Sequence, residues 1–271
     1  MKIFEYNNGE IREQRLLIDA LKIEINKKNI ISFVGGGGKT SSIYKLGEEL
    51  KELGKKVIIT TTTRMFMPES NTVITGKKED IIKLLNDKNM ITVGLLCDEK
   101  NEKFDYNKLK DGSSLESLEE HIPRKISGVS KEIAESFIEI ADFVLVEADG
   151  AKGLPLKVPA EHEPVILTKS NLVIGVCGID AVGKKIKEIC HRSNLVSRFL
   201  NTDEEHIINA WDVAKILAST KGQRKDVRCP YKVIINKADT IMELENAKKI
   251  SKELSDLGIN ETIITTFKDK L

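Results

Sequence analysis

From residue 30 onward, short apolar runs alternate with segments whose apolar positions recur at helical spacing. Ile30-Ile31-Ser32-Phe33-Val34, Val57-Ile58-Ile59, Phe143-Val144-Leu145-Val146 and Tyr231–Ile235 are runs of the first kind. Further strands are predicted near Thr72–Thr75, Ile91–Leu96, Leu172–Val176 and Thr262–Thr265. Helices are predicted near Glu79–Leu85, Lys131–Ala141, Glu204–Ser219 and Ile241–Leu257. Another begins near Lys39, carries Ile43, Leu46, Leu50 and Leu53 on one face, and stops at Gly54. Residues 13–25 read as an amphipathic helix ahead of the first strand. Strands that are continuously apolar are buried on both sides. The pattern therefore predicts an α/β fold, a mostly parallel central sheet with helices on both faces.

No repeat, low-complexity tract or long Gly/Ser/Pro linker divides the sequence, so residues 1–271 read as a single domain. The stretch from Asp98 to Glu120 is polar and weakly patterned, which predicts an insertion near 98–128. A proline-punctuated loop from Gly150 to about Pro164 suggests a functional loop near 150–166. Lys+Arg (43) and Asp+Glu (42) nearly cancel, so no overall field draws the chain to nucleic acid or membrane. No apolar stretch approaches the ~20 residues that span a bilayer. The N-terminal segment is too polar for a secretory signal. Cys97, Cys177, Cys190 and Cys229 are widely spaced without a Cys-x-x-Cys pair, which points to reduced thiols and a cytoplasmic location.

The most specific chemistry lies in Phe33-Val34-Gly35-Gly36-Gly37-Gly38-Lys39-Thr40, between the first strand and the helix after it. Gly35, Gly36, Gly37 and Gly38 leave the backbone free to turn its N–H groups around an anion. Lys39 supplies a charge for β/γ-phosphates, and the Thr40 hydroxyl can reach a magnesium ion. Ser41, next in the helix, joins this nucleotide-binding set. The full Walker A pattern would place Gly where Phe33 stands; the shorter Gly-x-x-Gly-Lys-Thr form resembles the loop of Mur-type ligases. The fold is accordingly expected to be P-loop NTPase-like.

A phosphate loop needs an acid at the end of a nearby strand, and Glu147 follows four apolar residues in that position. Asp149 and Gly150 come directly after it, a Glu-x-Asp-Gly run in which Asp149 could orient the metal's waters or the attacking group. Asn236-Lys237-Ala238-Asp239 follows another apolar strand and has the form of the guanine-reading motif of GTPases. Thr60–Thr63 leave the second strand, expected beside the first, where hydroxyls such as those of Thr62 and Thr63 could touch phosphate or metal. Gly178–Lys184 also fits Gly-x4-Gly-Lys, but Lys185 replaces the metal-binding hydroxyl and Asp180 would repel phosphate. Only Asp180 is kept from it, as a site residue.

Taken together, Gly35–Thr40, Thr60–Thr63, and the stretch from Val146 to Pro164 resemble the YqeC family, accessory proteins of selenium-dependent molybdenum hydroxylases. Val173–Gly183 and His191-Arg192 extend the likeness over most of the chain. The resemblance implies a cytosolic role in maturing a selenium-containing molybdenum cofactor, with a molybdenum hydroxylase or a cofactor nucleotidyltransferase as partner. Within the Gly150–Pro164 stretch, Lys152 and Lys157 can meet anions, while Glu161-His162-Glu163 offers acid/base or metal-binding groups, His162 foremost. Arg192 is a candidate for stabilising phosphoryl charge in cis.

The sequence thus predicts a Mg2+-dependent protein that binds GTP or, somewhat less favoured, ATP, and hydrolyses it. Lys39, Asp149 and Arg192 are the expected catalytic residues, and Thr40 and Glu147 the metal-binding ones. Asn236, Lys237 and Asp239 are expected to read the base. Two alternatives remain: an ATP-dependent ligase or kinase, and a non-hydrolysing nucleotide-dependent chaperone or switch.

Overall fold

A computed structural model describes residues 1–7, 9–97 and 125–268. Residues 98–124 of the expected insertion lie outside these. Among the described residues, ten strands form one sheet. Eight of them run parallel, in the order β15 (Glu261–Thr265), β14 (Tyr231–Asn236), β12 (Leu172–Gly178), β3 (Asn29–Gly35), β10 (Phe143–Glu147), β4 (Val57–Thr61), β7 (Met90–Val93) and β6 (Thr72–Val73). An antiparallel hairpin of β1 (Ile3–Asn7) and β2 (Glu10–Gln14) extends the sheet beyond β15. The expectation of a mostly parallel α/β fold is met.

Period-two alternation divides each strand's side chains between two cores. Ile31, Phe33, Ile59, Leu145, Ile174, Val176 and Ile234 pack on one face with α1 (Leu17–Ala20) and α2 (Lys39–Glu52). On the other face, Ile30, Ile58 and Val144 meet α3 (Lys78–Lys88) and α4 (Lys131–Ser136). Val233, Ile235 and Cys177 on that side meet α7 (Ala210–Ala218) and α8 (Ile241–Asp256). Parallel strands covered this way lose almost all solvent contact, which is why they read as continuous apolar runs.

Several expectations need correction. The region read as a helix over 13–25 takes in the end of strand β2 (Glu10–Gln14) and a single helical turn, α1. The preceding hairpin turns at Gly9, whose φ is +88°. The second strand, β4, does not adjoin β3, because β10 lies between them. Residues 91–96 divide at Gly94, with β8 (Leu95–Leu96) joining β9 (Lys125–Ser127) and β5 (Arg64–Phe66) in a small separate sheet. The helix predicted from Glu204 begins only at Ala210, where Asn209 and Asp212 form a reciprocal capping box. Two short helices, α5 (Ile186–Ile189) and α6 (Ser193–Leu200), were not expected. Leu53 is exposed rather than part of the buried face of α2. No helix among the described residues is long and apolar enough to cross a membrane, and all four cysteines are free.

Candidate functional site

The parallel strands deliver their last residues to one edge of the sheet: Gly35 from β3, Glu147 from β10, Gly178 from β12, Asn236 from β14 and Thr265 from β15. Such an edge is where open α/β sheets carry ligand chemistry. Helix α2 starts there at Lys39. Its N-cap is Gly38, which has no side chain to cap the first-turn N–H groups, so the positive end of the helix dipole lies at this edge. Two positions in the loop require glycine. Gly37 has φ +72°, and a Cβ there would lie 2.1 Å from the Gly178 nitrogen. Gly38 has φ +134°, and a Cβ there would lie 2.0 Å from Asn236 Nδ2.

The loop amides do not converge on one point, contrary to expectation. Gly36 N–H donates to the Val176 carbonyl at 2.9 Å and Gly37 N–H to the Leu154 carbonyl at 3.0 Å. Gly35 N–H donates to both oxygens of Asp149, at 3.0 and 3.1 Å. The physical reason is that a buried N–H needs an acceptor, and β12, the segment after β10, and Asp149 supply these.

Lys39 is almost fully buried; its ammonium donates to the Gly35 carbonyl and lies 3.1 Å from Asp149 Oδ1. Asp149 therefore serves the glycine loop directly rather than standing toward a metal position. The chain of ions continues beyond it. Lys157, at 0% exposure, lies 3.2 Å from Asp149 Oδ2 and 2.7 Å from Glu163 Oε2, and donates to the Gly150 carbonyl at 2.8 Å. Arg192, at a positive φ of 57°, donates to the same Glu163 oxygen. Burial pushes the Glu163 carboxyl up, but the Arg192 guanidinium and the Lys157 ammonium outweigh it and hold it down at about 2. Lys157 sits on β11 (Leu156–Lys157), paired in parallel with His191 on β13 (Cys190–His191). The His191 imidazole is pushed down by burial first, then by Lys157 and Arg192.

Thr40 and Glu147 come together as expected, the hydroxyl donating to Glu147 Oε2 at 2.7 Å. Burial pushes the Glu147 carboxyl up, while the Lys39 charge and the Thr40 hydroxyl pull it back. Among the described residues no cluster of three or more His, Cys, Asp or Glu could hold a metal. The Thr40–Glu147 pair nevertheless fits magnesium, which takes hard oxygen donors and retains waters and substrate oxygens for its other positions.

Asn236 ties three elements. Its amide donates to the Gly37 carbonyl at 3.0 Å and accepts from the Thr265 hydroxyl at 2.8 Å. Asp239 Oδ1 accepts from the backbone N–H of Phe267 at 2.5 Å and of Lys268 at 2.8 Å. Lys237, at φ +68°, pairs with Asp180 at 2.8 Å. Gly178–Lys184 opens only a 3₁₀ turn, Ile179–Ala181, in keeping with its rejection as a phosphate loop. The Thr62 hydroxyl donates to the Val165 carbonyl at 2.8 Å, and Thr63 N–H donates to the Thr61 hydroxyl at 3.0 Å, so both tether the chain locally. Ser41 is partly buried in the first turn of α2, whereas Lys152 and His162 are exposed.

Sequence reasoning missed two residues. Lys225 donates to the carbonyls of Ala160, Glu161 and Glu163, clamping the loop after β11. Gln223 is buried with neither amide atom hydrogen-bonded among the described residues, and its Oε1 lies 2.4 Å from where a Gly35 Cβ would be. Both sit in a segment without helical or strand periodicity, and no pattern in it could have marked them. A cavity of about 310 Å³ lined by Lys131, Ile166, Arg228 and Cys229 shares Pro164 with the far end of the loop but does not include the glycine loop.

The family described as YqeC protein matches residues 31–194. A relative named Uncharacterized protein YqeC, from Escherichia coli (strain K12), is 31% identical over 204 residues, covering 74% of this chain and 72% of the relative. The family match takes in the glycine loop, Glu147, the Lys39–Arg192 ion chain and Asp180, and ends before Asn236. The chain belongs to the YqeC family.

Proposed function

We propose that this protein is a P-loop, Mg2+-dependent nucleoside-triphosphate-binding protein that hydrolyses its nucleotide, with GTP favoured over ATP. The observation that carries this reading is the 2.7 Å contact between Thr40 of α2 and Glu147 of the neighbouring parallel strand. A hydroxyl following Lys39 and an acid ending the next strand are the two protein oxygens a nucleotide-bound magnesium requires. Lys39 and the first-turn amides of α2 would hold the β/γ-phosphates. Asp149, already bonded to Lys39 and Gly35, holds the position of an anion in this state. Asn236 links the glycine loop to the Asp239 segment, which supports placing the base there. The resemblance carried by Gly35–Thr40, Thr60–Thr63 and Val146–Pro164 is the ground for a further part of the proposal, a cytoplasmic accessory role in maturing a selenium-containing molybdenum cofactor, with a molybdenum hydroxylase or cofactor nucleotidyltransferase as partner.

One observation favours a second reading, an ATP-dependent ligase or kinase. Asp239 Oδ1 already accepts two backbone N–H groups, so among the described residues only Oδ2 remains for a base, where guanine would use both. Competition of GTP and ATP for the wild type and Asp239→Asn separates the two. GTP outcompeting ATP, with the preference lost in the variant, supports guanine reading. ATP outcompeting GTP equally in both proteins supports the second.

A further inference from the structure

The loop that follows Asp149 is bound to the glycine loop and to the adjoining end of β12. Gly37 N–H donates to the Leu154 carbonyl at 3.0 Å, and Gly178 N–H donates to the Pro155 carbonyl at 3.0 Å. A Cβ on Gly36 would lie 2.5 Å from the Leu154 oxygen. Residues 150–157 therefore form a strap laid against the mouth of α2. The strap is held at its other end by Lys157, whose ammonium bridges Asp149 and Glu163 with no exposed surface. Lys39, Asp149, Lys157, Glu163 and Arg192 alternate in sign along one continuous chain of contacts.

An oxyanion arriving at Lys39 conflicts with this arrangement at two places. It repels the Asp149 carboxylate, which now lies 3.1 Å from the same ammonium. It also competes with the Leu154 carbonyl for the Gly37 N–H, because one donor cannot serve both. Asp149 can remain buried only while another cation compensates it, and Lys157 is the second cation in contact with it. Were Lys157 to turn further toward Asp149, it would give up part of its contact with Glu163, which Arg192 also holds.

We propose that Lys157 is a positioning residue that takes over Asp149 when phosphate claims Lys39, and that the Leu154 carbonyl then gives up the Gly37 N–H, so that the strap lifts from the glycine loop ahead of its anchored end at Lys157. The proposal rests on the nucleotide-binding reading above. It adds to that reading a bistable element, the strap, and a differential contact at each end, as a coupled transition requires. Lys157 itself need not touch the nucleotide.

Hydrogen–deuterium exchange of the full chain, with and without Mg-GTP, tests this. Residues 150–157 and the Gly37 amide are followed separately in wild type, Lys157→Met and Lys157→Arg. In the wild type, nucleotide accelerates exchange in 150–157 while protecting the first turn of α2. Lys157→Met still binds nucleotide, five- to 150-fold more weakly as is typical of coupling energies, but the strap no longer responds. Lys157→Arg restores the response in part. A wild-type strap whose exchange is unchanged or slowed by bound nucleotide overturns the proposal without touching the nucleotide-binding reading. Failure of the wild type to bind Mg-GTP or Mg-ATP at all overturns both. Should Lys157→Met fail to fold, the wild-type exchange alone decides the matter.

Discussion

Glu147 and Glu163 are both buried carboxylates, yet their surroundings displace them in opposite directions. Burial raises Glu147, so its ionised form is less favourable in the folded protein than in the unfolded chain. The stability associated with its neutral form is full below the unfolded value and is lost as pH rises through the folded one. Glu147→Gln is therefore predicted to melt at a higher temperature than wild type at pH 7, with the gap closing toward pH 4. A calorimetric pH series checks this. Glu163 runs the other way: its folded value is about 2 against an ordinary 4.5, so its stabilisation is present above 4.5 and is lost as pH falls toward 2. Glu163→Gln is predicted to cost about 1–3 kcal/mol at pH 7, and urea midpoints should show the difference shrinking below pH 4.5. The Thr40–Glu147 pair could be anticipated from a lysine-threonine at a helix start and an acid ending an apolar run. The Lys157–Glu163 bridge could not, because a lysine in a polar loop ordinarily stays solvated and only the strap's packing buries this one.

The glycine loop and the N-terminal hairpin contrast in how their local sequence determines them. In the loop, space as well as backbone angle excludes a side chain, so Gly37→Ala is predicted to destabilise the fold by about 1–3 kcal/mol and to weaken nucleotide binding. Thermal melts and equilibrium binding on the same variant measure both. Strand β3, helix α2 and strands β10, β12 and β14 were legible because each is either apolar on both sides or periodic with a clear stop. The hairpin was not. Its strands are polar at most outward positions, and the run from Glu13 to Ile25 offers helical spacing that competes with them. Tertiary pairing of β1 with β15 decided the outcome over local periodicity. Helix α7 began late because the Asn209–Asp212 capping box sets its start.

For the molecule as a whole, the sheet order places β10 between β3 and β4, an arrangement strand periodicity alone does not specify. That order brings Glu147 beside Thr40, and it brings the end of β4 to Glu147's backbone, where the Thr61 hydroxyl donates at 2.8 Å. The hairpin closes the opposite side of the sheet over β15. Removing residues 1–14 is predicted to expose that edge and yield self-association, which size-exclusion chromatography detects as a shift from the full-length elution position. The site depends on the entire parallel array holding its strand ends level. Equilibrium binding of Mg-GTP to wild type and Lys39→Ala measures directly whether the glycine loop holds a nucleotide. A loss of about a hundredfold in affinity in the variant, with wild-type binding weakened when Mg2+ is withheld, is the predicted result. Equal affinity of the two proteins would contradict it.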